Sequence, residues 1–171
     1  ASLAYLVLIP LAGMGTQLQM PDRILAAGAD LTPLTPLIEN VFWLNAFSAL
    51  QFIGFVTAAL LLRRQGESHK RLMLFAGIAI ILPAAARLSR WPIFGNAAPD
   101  LSQPSSTGND VTFTLVFLVL FTFALVLHDL ASRRRLHAIT LIGTVVLFGM
   151  GMLAPVIARS ETGKAIVWAL S

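Results

Sequence analysis

The sequence predicts an all-α fold, a polytopic bundle of about five transmembrane helices, on three observations. The chain of 171 residues is 57% hydrophobic and only 12% charged, whereas an average soluble domain carries about 25% charged residues. Its mean hydropathy is +0.80. Several apolar runs approach the roughly 20 residues that a helix needs to cross about 30 Å of hydrocarbon. These runs are apolar on all faces, unlike the alternating strands of a membrane β-barrel.

We expect a single integral membrane domain over residues 1–171. Its predicted spans are 3–20, 41–62, 72–94, 111–131 and 138–158, with outer loops at 21–40 and 95–110. The span 41–62 contains no charged residue. The third span is uncharged only as far as Ala86, so it must continue through Arg87 and Arg90, with a bend at Pro83. In the loop 21–40, Pro33 and Pro36 prevent a continuous helix, and we expect a short helix over 23–28.

The basic residues predict the orientation of the chain in the membrane. The short loops 63–71 and 132–137 contain seven of the twelve Lys and Arg residues, namely Arg63, Arg64, Lys70, Arg71, Arg133, Arg134 and Arg135. By the positive-inside tendency we expect both loops on the cytoplasmic side, with these side chains at the headgroups of anionic lipids. The net charge of +4 is concentrated in these clusters rather than along a stripe, which argues against nucleic acid as a partner.

The three histidines, His69, His128 and His137, all fall at predicted cytoplasmic helix ends. If those ends pack together, the imidazoles would suit haem b or, with Asp129, a transition metal. The simpler interpretation is that they cap helices, contact phosphates or face solvent. We assign no metal site, and because the chain has no cysteine, disulfides, iron–sulfur clusters and thiolate zinc sites are excluded.

Arg87 is unusual because it falls about 22 Å along the third span, below the outer boundary of the membrane. A cation at that depth costs a few kcal/mol unless it finds a partner or snorkels. Arg87 and Arg90 share a helix face and would present a cationic pair to an anionic ligand or a quinone headgroup. The candidate counter-ions are Glu39 and Asp110. The alternative is a structural ion pair or a snorkelling side chain.

Asn45, Ser48 and Gln51 recur at helical spacing in the second span, so they lie on one stripe. Such stripes normally make hydrogen bonds between membrane helices, and the alternative is a polar-lined ligand cavity. The chain has no phosphate-binding loop, nucleophile elbow, metalloprotease motif or pair of catalytic carboxylates. We therefore expect a protein that is not an enzyme.

Two segments resemble a group of uncharacterised bacterial multi-span membrane proteins. Residues 67–74, Glu-Ser-His-Lys-Arg-Leu-Met-Leu, and 82–88, Leu-Pro-Ala-Ala-Ala-Arg-Leu, are similar to a helix in that group that starts His-Lys-Arg-Leu-Met and ends in a stretch with Pro and Arg. Residues 128–140 resemble its second loop, with His128 in place of a usual Tyr and Ala138 in place of a usual Pro. The resemblance covers residues 40–158 and implies a multi-pass protein of the bacterial cytoplasmic membrane, without implying an activity.

The sequence leads to one favoured function and two alternatives. The favoured function is a non-enzymatic accessory or scaffolding subunit that packs against other membrane proteins. The first alternative is a haem- or quinone-binding electron-transfer protein that uses the three histidines. The second is a small transporter or sensor with an anion site centred on Arg87, in which Arg90, Asn45 and Gln51 also contact the ligand.

Overall fold

The computed structural model describes residues 15, 19–26, 28, 32, 35–88, 106–133 and 137–170, and the statements below refer to these residues. They form helices and no strand, which confirms the all-α prediction. The helices are α1 (Met20–Ala26), α2 (Thr35–Leu61), α3 (Gly66–Leu88), α4 (Ser106–Arg133), α5 (Ala138–Arg159) and α6 (Glu161–Leu170).

Two helices are long and apolar enough to cross a membrane. They are α2, over the 24 residues Ile38–Leu61, and α5, over the 22 residues Ala138–Arg159. Helix α4 contains a shorter apolar stretch, Leu115–Ala131. Helix α3 carries Glu67, Lys70 and Arg71 in its first two turns. The structure therefore supports two of the five predicted spans by length and composition, and the first span, 3–20, lies almost entirely outside the described residues.

The helices begin earlier than their apolar runs. Helix α2 starts at Thr35 with Pro36 in its first turn. Proline is tolerated there because the N–H groups of the first turn have no acceptor within the helix. Helix α3 starts at Gly66 instead of at Leu72, so the basic residues just before Leu72 are helical rather than part of a loop. The short helix predicted over 23–28 is observed over Met20–Ala26. It is followed by Gly28 at φ +74°, a left-handed conformation that favours glycine.

Helix α3 occupies the centre of the bundle, in contact with α2, α4 and α5. The ring of Phe75 on α3 stacks on the ring of Phe55 on α2, with the centroids 5.5 Å apart. The hydrophobic core consists of Phe55, Val56, Ala59, Leu72, Phe75, Ala76, Ile78, Ala79, Leu118 and Leu147. On α5, a Cβ added to Gly143 would lie 2.5 Å from the Phe75 ring. Glycine at this position therefore lets α5 approach α3 closely.

Candidate functional site

A buried polar cluster lies where the start of α3, the end of α4 and the start of α5 meet. It consists of Arg71 from α3, Asp129 from α4, Thr140 from α5, and His137, the residue that precedes α5; we call it the Asp129 cluster. Asp129 is fully buried, and the exposed fractions of Thr140 and Arg71 are 1% and 5%. Charged residues are almost never buried to this extent unless they are paired.

Through its two carboxylate oxygens, Asp129 at the end of α4 binds groups at the starts of α3 and α5. Oδ1 accepts a hydrogen bond from Nη1 of Arg71. Oδ2 accepts from the Thr140 hydroxyl at 2.7 Å and from the His137 backbone N–H at 3.2 Å. The Thr140 oxygen in turn accepts from Arg71 Nη1 at 3.0 Å, which uses the hydroxyl as donor and acceptor at once. Both oxygens of Asp129 are therefore engaged by the protein itself.

Two further charged or titratable side chains border the cluster from its exposed side. Glu67 Oε2 lies 3.9 Å from Arg71 Nη2, and its side chain is 53% exposed. His128 Nδ1 lies 3.9 Å from Asp129 Oδ1, and its side chain is 69% exposed. The central ion pair is buried, and such a pair is maintained only when good geometry and additional hydrogen bonds offset the loss of hydration. The hydroxyl of Thr140 and the N–H of His137 supply those additional bonds.

The histidines lie near this end of the bundle but do different things. The Nδ1 atom of His137 accepts a hydrogen bond from the Ile139 N–H at 3.2 Å and caps the start of α5. The Nδ1 atom of His69 is 2.8 Å from the Ala59 carbonyl oxygen, so it is the donor, and it ties α3 to the end of α2. Within the described residues no group of three His, Asp or Glu side chains is arranged to hold a metal ion.

These contacts match the helix-capping interpretation of His137. The electron-transfer hypothesis for His69, His128 and His137 stays a prediction, and so does haem b as its cofactor. An optical spectrum of the purified protein, with or without a Soret band, tests it directly.

The basic residues divide into exposed and buried ones. Arg63, Arg64 and Lys70 are exposed, and their contact with anionic headgroups stays a prediction. Arg71 was grouped with them from the sequence but is buried against Asp129. The reason is the early start of α3: Arg71 lies more than a turn inside the helix, on the side that faces α4 and α5. The side chain of Arg133, and all of Arg134 and Arg135, lie outside the described residues.

The polar stripe of the second span makes a helix–helix contact through Gln51. Its Nε2 lies 3.3 Å from the Val146 carbonyl oxygen and 3.4 Å from that of Leu147, both on α5. Ser48 is buried and Asn45 is half-buried. The contacts of Gln51 match the packing interpretation of the stripe, and the binding of a ligand by Asn45 and Gln51 stays a prediction.

The anion site predicted around Arg87 is not tested by the structure. Arg87 lies in α3, but its side chain and all of Arg90 are outside the described part, as is the side chain of Asp110. Glu39, the other candidate counter-ion, is buried with an exposed fraction of 5% and accepts a hydrogen bond from Trp168 Nε1 at 3.0 Å. The transport or sensing hypothesis therefore stays a prediction.

Sequence reasoning missed the pairing of Arg71 with Asp129. The one available signal was Asp129, which directly follows the apolar run of the fourth span. A carboxylate that close to an apolar segment is stabilised by a cationic partner. Fifty-eight positions separate the two residues, so sequence spacing alone does not identify the arginine.

No family model matches this chain, and neither does any curated protein or solved structure. For the described part of the chain, the fold and the Asp129 cluster define the class as a helical bundle with two helices long and apolar enough to cross a membrane and a buried polar junction at one end.

Proposed function

We propose that this chain is a multi-pass integral membrane protein that acts as a non-enzymatic accessory or scaffolding subunit, packing against other membrane proteins. One observation carries the proposal. Helix α5 is the more apolar of the two candidate spans, yet only 22% of the residues in its most apolar 18-residue stretch are buried in the bundle. The core helix of a soluble protein is mostly buried, because apolar surface in water is unfavourable. The outer face of α5 therefore needs a second apolar environment.

Helix α4 shares this property with α5. The large apolar side chains concerned are between 49% and 64% exposed: Val116, Val119, Leu120, Phe123 and Leu127 on α4, and Leu141, Ile142, Val145, Leu153 and Val156 on α5. Soluble monomers rarely present contiguous apolar surface on this scale. These exposed apolar faces of α4 and α5 are expected to contact lipid acyl chains or the helices of other membrane proteins.

The arrangement of the helix ends supports the predicted topology. The Asp129 cluster brings the start of α3 and the connection between α4 and α5 to one end of the bundle. Arg63 and Arg64, which precede α3, and Arg133, the last residue of α4, belong to that end, which we assign to the cytoplasmic side of a bacterial inner membrane, next to anionic lipids. Glu39 and Trp168 meet near the start of α2, which is the opposite end.

The inward polar groups support a structural role. Gln51 binds backbone carbonyls of α5, and the Asp129 carboxylate of α4 binds groups at the starts of α3 and α5. Polar side chains that bind neighbouring helices hold a membrane bundle together. The bundle would then offer its outward apolar faces to partner subunits.

Photocrosslinking in the membrane of the source cell tests the accessory role. A photoreactive phenylalanine analogue is placed in the full chain at Phe123 on α4 or at Val145 on α5, whose side chains are 61% and 63% exposed. The same analogue at fully buried Phe75 is the matched control. We expect a discrete light-dependent adduct with another protein from at least one outward position and none from the control.

The opposite result would count against the accessory role. If both outward positions give only lipid adducts, and the protein purified in mild detergent runs as a lone monomer, the proposal is wrong. Membrane insertion is tested separately by extraction with alkaline carbonate, because release of the chain into the soluble fraction would contradict an integral membrane protein.

A further inference from the structure

We propose that α6 is an interfacial helix, which lies along the membrane surface opposite the basic loops and inserts its apolar face between phospholipid headgroups and acyl chains. This inference rests on the membrane insertion in the proposed function. It adds a surface and a partner, the zwitterionic phospholipid interface, which the accessory role does not require.

The chain turns sharply between α5 and α6. The hydroxyl oxygen of Ser160 accepts a hydrogen bond from the Gly163 N–H at 3.0 Å and so caps the new helix. A Cβ at Gly163 would lie 1.9 Å from the Ile157 carbonyl oxygen, a separation that no side chain tolerates. Glycine thus allows α6 to fold against the last turn of α5 instead of extending it.

Two indole N–H groups fix α6 to the start of α2. Trp43 of α2 donates to the Gly163 carbonyl oxygen at 3.3 Å, and Trp168 of α6 donates to the Glu39 carboxylate at 3.0 Å. Helix α6 therefore contacts the end of one candidate span and the beginning of the other. If α2 and α5 cross the bilayer, these contacts set α6 at the depth of the headgroups, where tryptophan is enriched.

Helix α6 is amphipathic. Gly163 and Val167 are buried against the bundle. On one flank of that buried stripe Ile166 and Leu170 are 39% and 56% exposed, and the helical spacing places Glu161 and Lys164 on the opposite flank. Ten residues give a length of about 15 Å, half of what is needed to cross the hydrocarbon. An amphipathic helix of this kind inserts its apolar face about 5–10 Å into the headgroup and acyl boundary.

The charges at this end of the bundle indicate which lipids it suits. Among the described residues of α6 and its neighbours, Arg159 and Lys164 are cationic and Glu39 and Glu161 are anionic. Lys164 Nζ is 2.9 Å from Glu161 Oε1. This hydrogen bond raises the pKa of Lys164 above its usual value, so the lysine stays charged. Because these four described charges balance around α6, we expect zwitterionic headgroups to suffice for it, whereas Arg63 and Arg64 at the other end favour anionic lipids.

The chain lacks cysteine, so single-cysteine variants of the full protein can carry one nitroxide spin label each. Ile166→Cys reports on the outer face of α6, and Leu170→Cys gives a second position on the same face. Val145→Cys is the control, because Val145 lies about 5 Å along the axis from the middle of α5. The labelled proteins are reconstituted in phosphatidylcholine vesicles, and the depth of each label is read from its collisions with oxygen and with a water-soluble nickel chelate.

We expect the labels at Ile166 and Leu170 about 15 Å from the bilayer midplane and the label at Val145 within about 5 Å of it. Adding phosphatidylglycerol should leave the α6 depth unchanged. Labels on α6 that collide with the nickel chelate as freely as in bulk water, while Val145 stays deep, would overturn the inference alone. An α6 depth that requires anionic lipid would overturn the assignment of zwitterionic partners. A Val145 label in water would instead refute the membrane insertion in the proposed function.

Discussion

Replacing Asp129 with asparagine keeps the size of the side chain but removes its charge and one acceptor. If the remaining oxygen binds Arg71, the amide N–H₂ faces the donors Thr140 and His137. If the side chain flips, the amide N–H₂ faces Arg71. In either orientation the Arg71 cation has no anionic partner in the cluster, and water cannot replace that partner because only 5% of Arg71 is exposed. Removing one partner of a buried ion pair costs about 3–5 kcal/mol, so we expect Asp129→Asn to destabilise the bundle by about that amount.

A double-mutant cycle separates the ion pair from the rest of the cluster. Arg71→Met should cost about as much as Asp129→Asn, because it leaves the buried carboxylate without its cation. The double variant should cost less than the two single changes added together, with a coupling energy of about 2–3 kcal/mol. Unfolding of the protein in mixed micelles with increasing sodium dodecyl sulfate, followed by tryptophan fluorescence, gives the free energies.

Glu67→Gln is the matched control for that cycle. It removes the other acidic neighbour of Arg71, which is 3.9 Å away and 53% exposed, and exposed pairs contribute at most about 1 kcal/mol. Single variants at Asp129 and Arg71 that both unfold within about 0.5 kcal/mol of the parent, or whose effects simply add, would refute the assignment of the cluster as a buried junction.

Three further substitutions probe the helix contacts. Gly143→Ala places a methyl group against the Phe75 ring and should cost about 1–3 kcal/mol of unfolding free energy in the same micelle assay. Gln51→Ala removes the donor to two α5 carbonyls and should cost about 0.6–1 kcal/mol. Gly163→Ala forces a methyl group onto the Ile157 carbonyl, so α6 should detach, with a red shift of tryptophan emission and faster motion of a spin label on that helix.

Neighbouring glycines supply the controls for these substitutions. A Cβ at Gly149 or Gly151 of α5 meets no atom within 4 Å, so alanine there should leave stability unchanged or raise it by up to about 1 kcal/mol through helix propensity. Equal losses at Gly143 and Gly149 would mean that the Phe75 contact is not what matters. An unchanged emission spectrum in Gly163→Ala would mean that α6 is held differently.

Hydrophobic runs in the sequence predicted the helices, because an apolar segment in an apolar environment satisfies its backbone hydrogen bonds by forming a helix. The predicted span 138–158 and the observed helix Ala138–Arg159 agree within one residue, because polar residues bound that run on both sides. The start of α3 was placed six residues too late, at Leu72. The polar and charged residues 67–71 indicated a loop. They are helical in the structure, where Arg71 is bound by Asp129 and Lys70 is exposed.

The candidate site was less predictable than the helices for a physical reason. The residues of the Asp129 cluster come from three helices, and what brings them together is the packing of α4 and α5 on α3. Asp129 was considered only as a metal ligand, and Arg71 only as a headgroup contact. Gln51 was recognised as a candidate for interhelix bonding, because a polar residue inside an uncharged run has few other uses.

The order of residues in the Asp129 cluster has a consequence for biosynthesis. Arg71 leaves the ribosome 58 residues before its carboxylate partner, an interval of about 3 to 12 s at usual rates of translation. During that time the arginine has neither Asp129 nor Thr140 to bind, so, if the chain inserts as proposed, the first turns of the nascent α3 stay at the lipid headgroups. The guanidinium can pair only after α4 and the start of α5 have been made, so formation of the Asp129 cluster is a late step of synthesis.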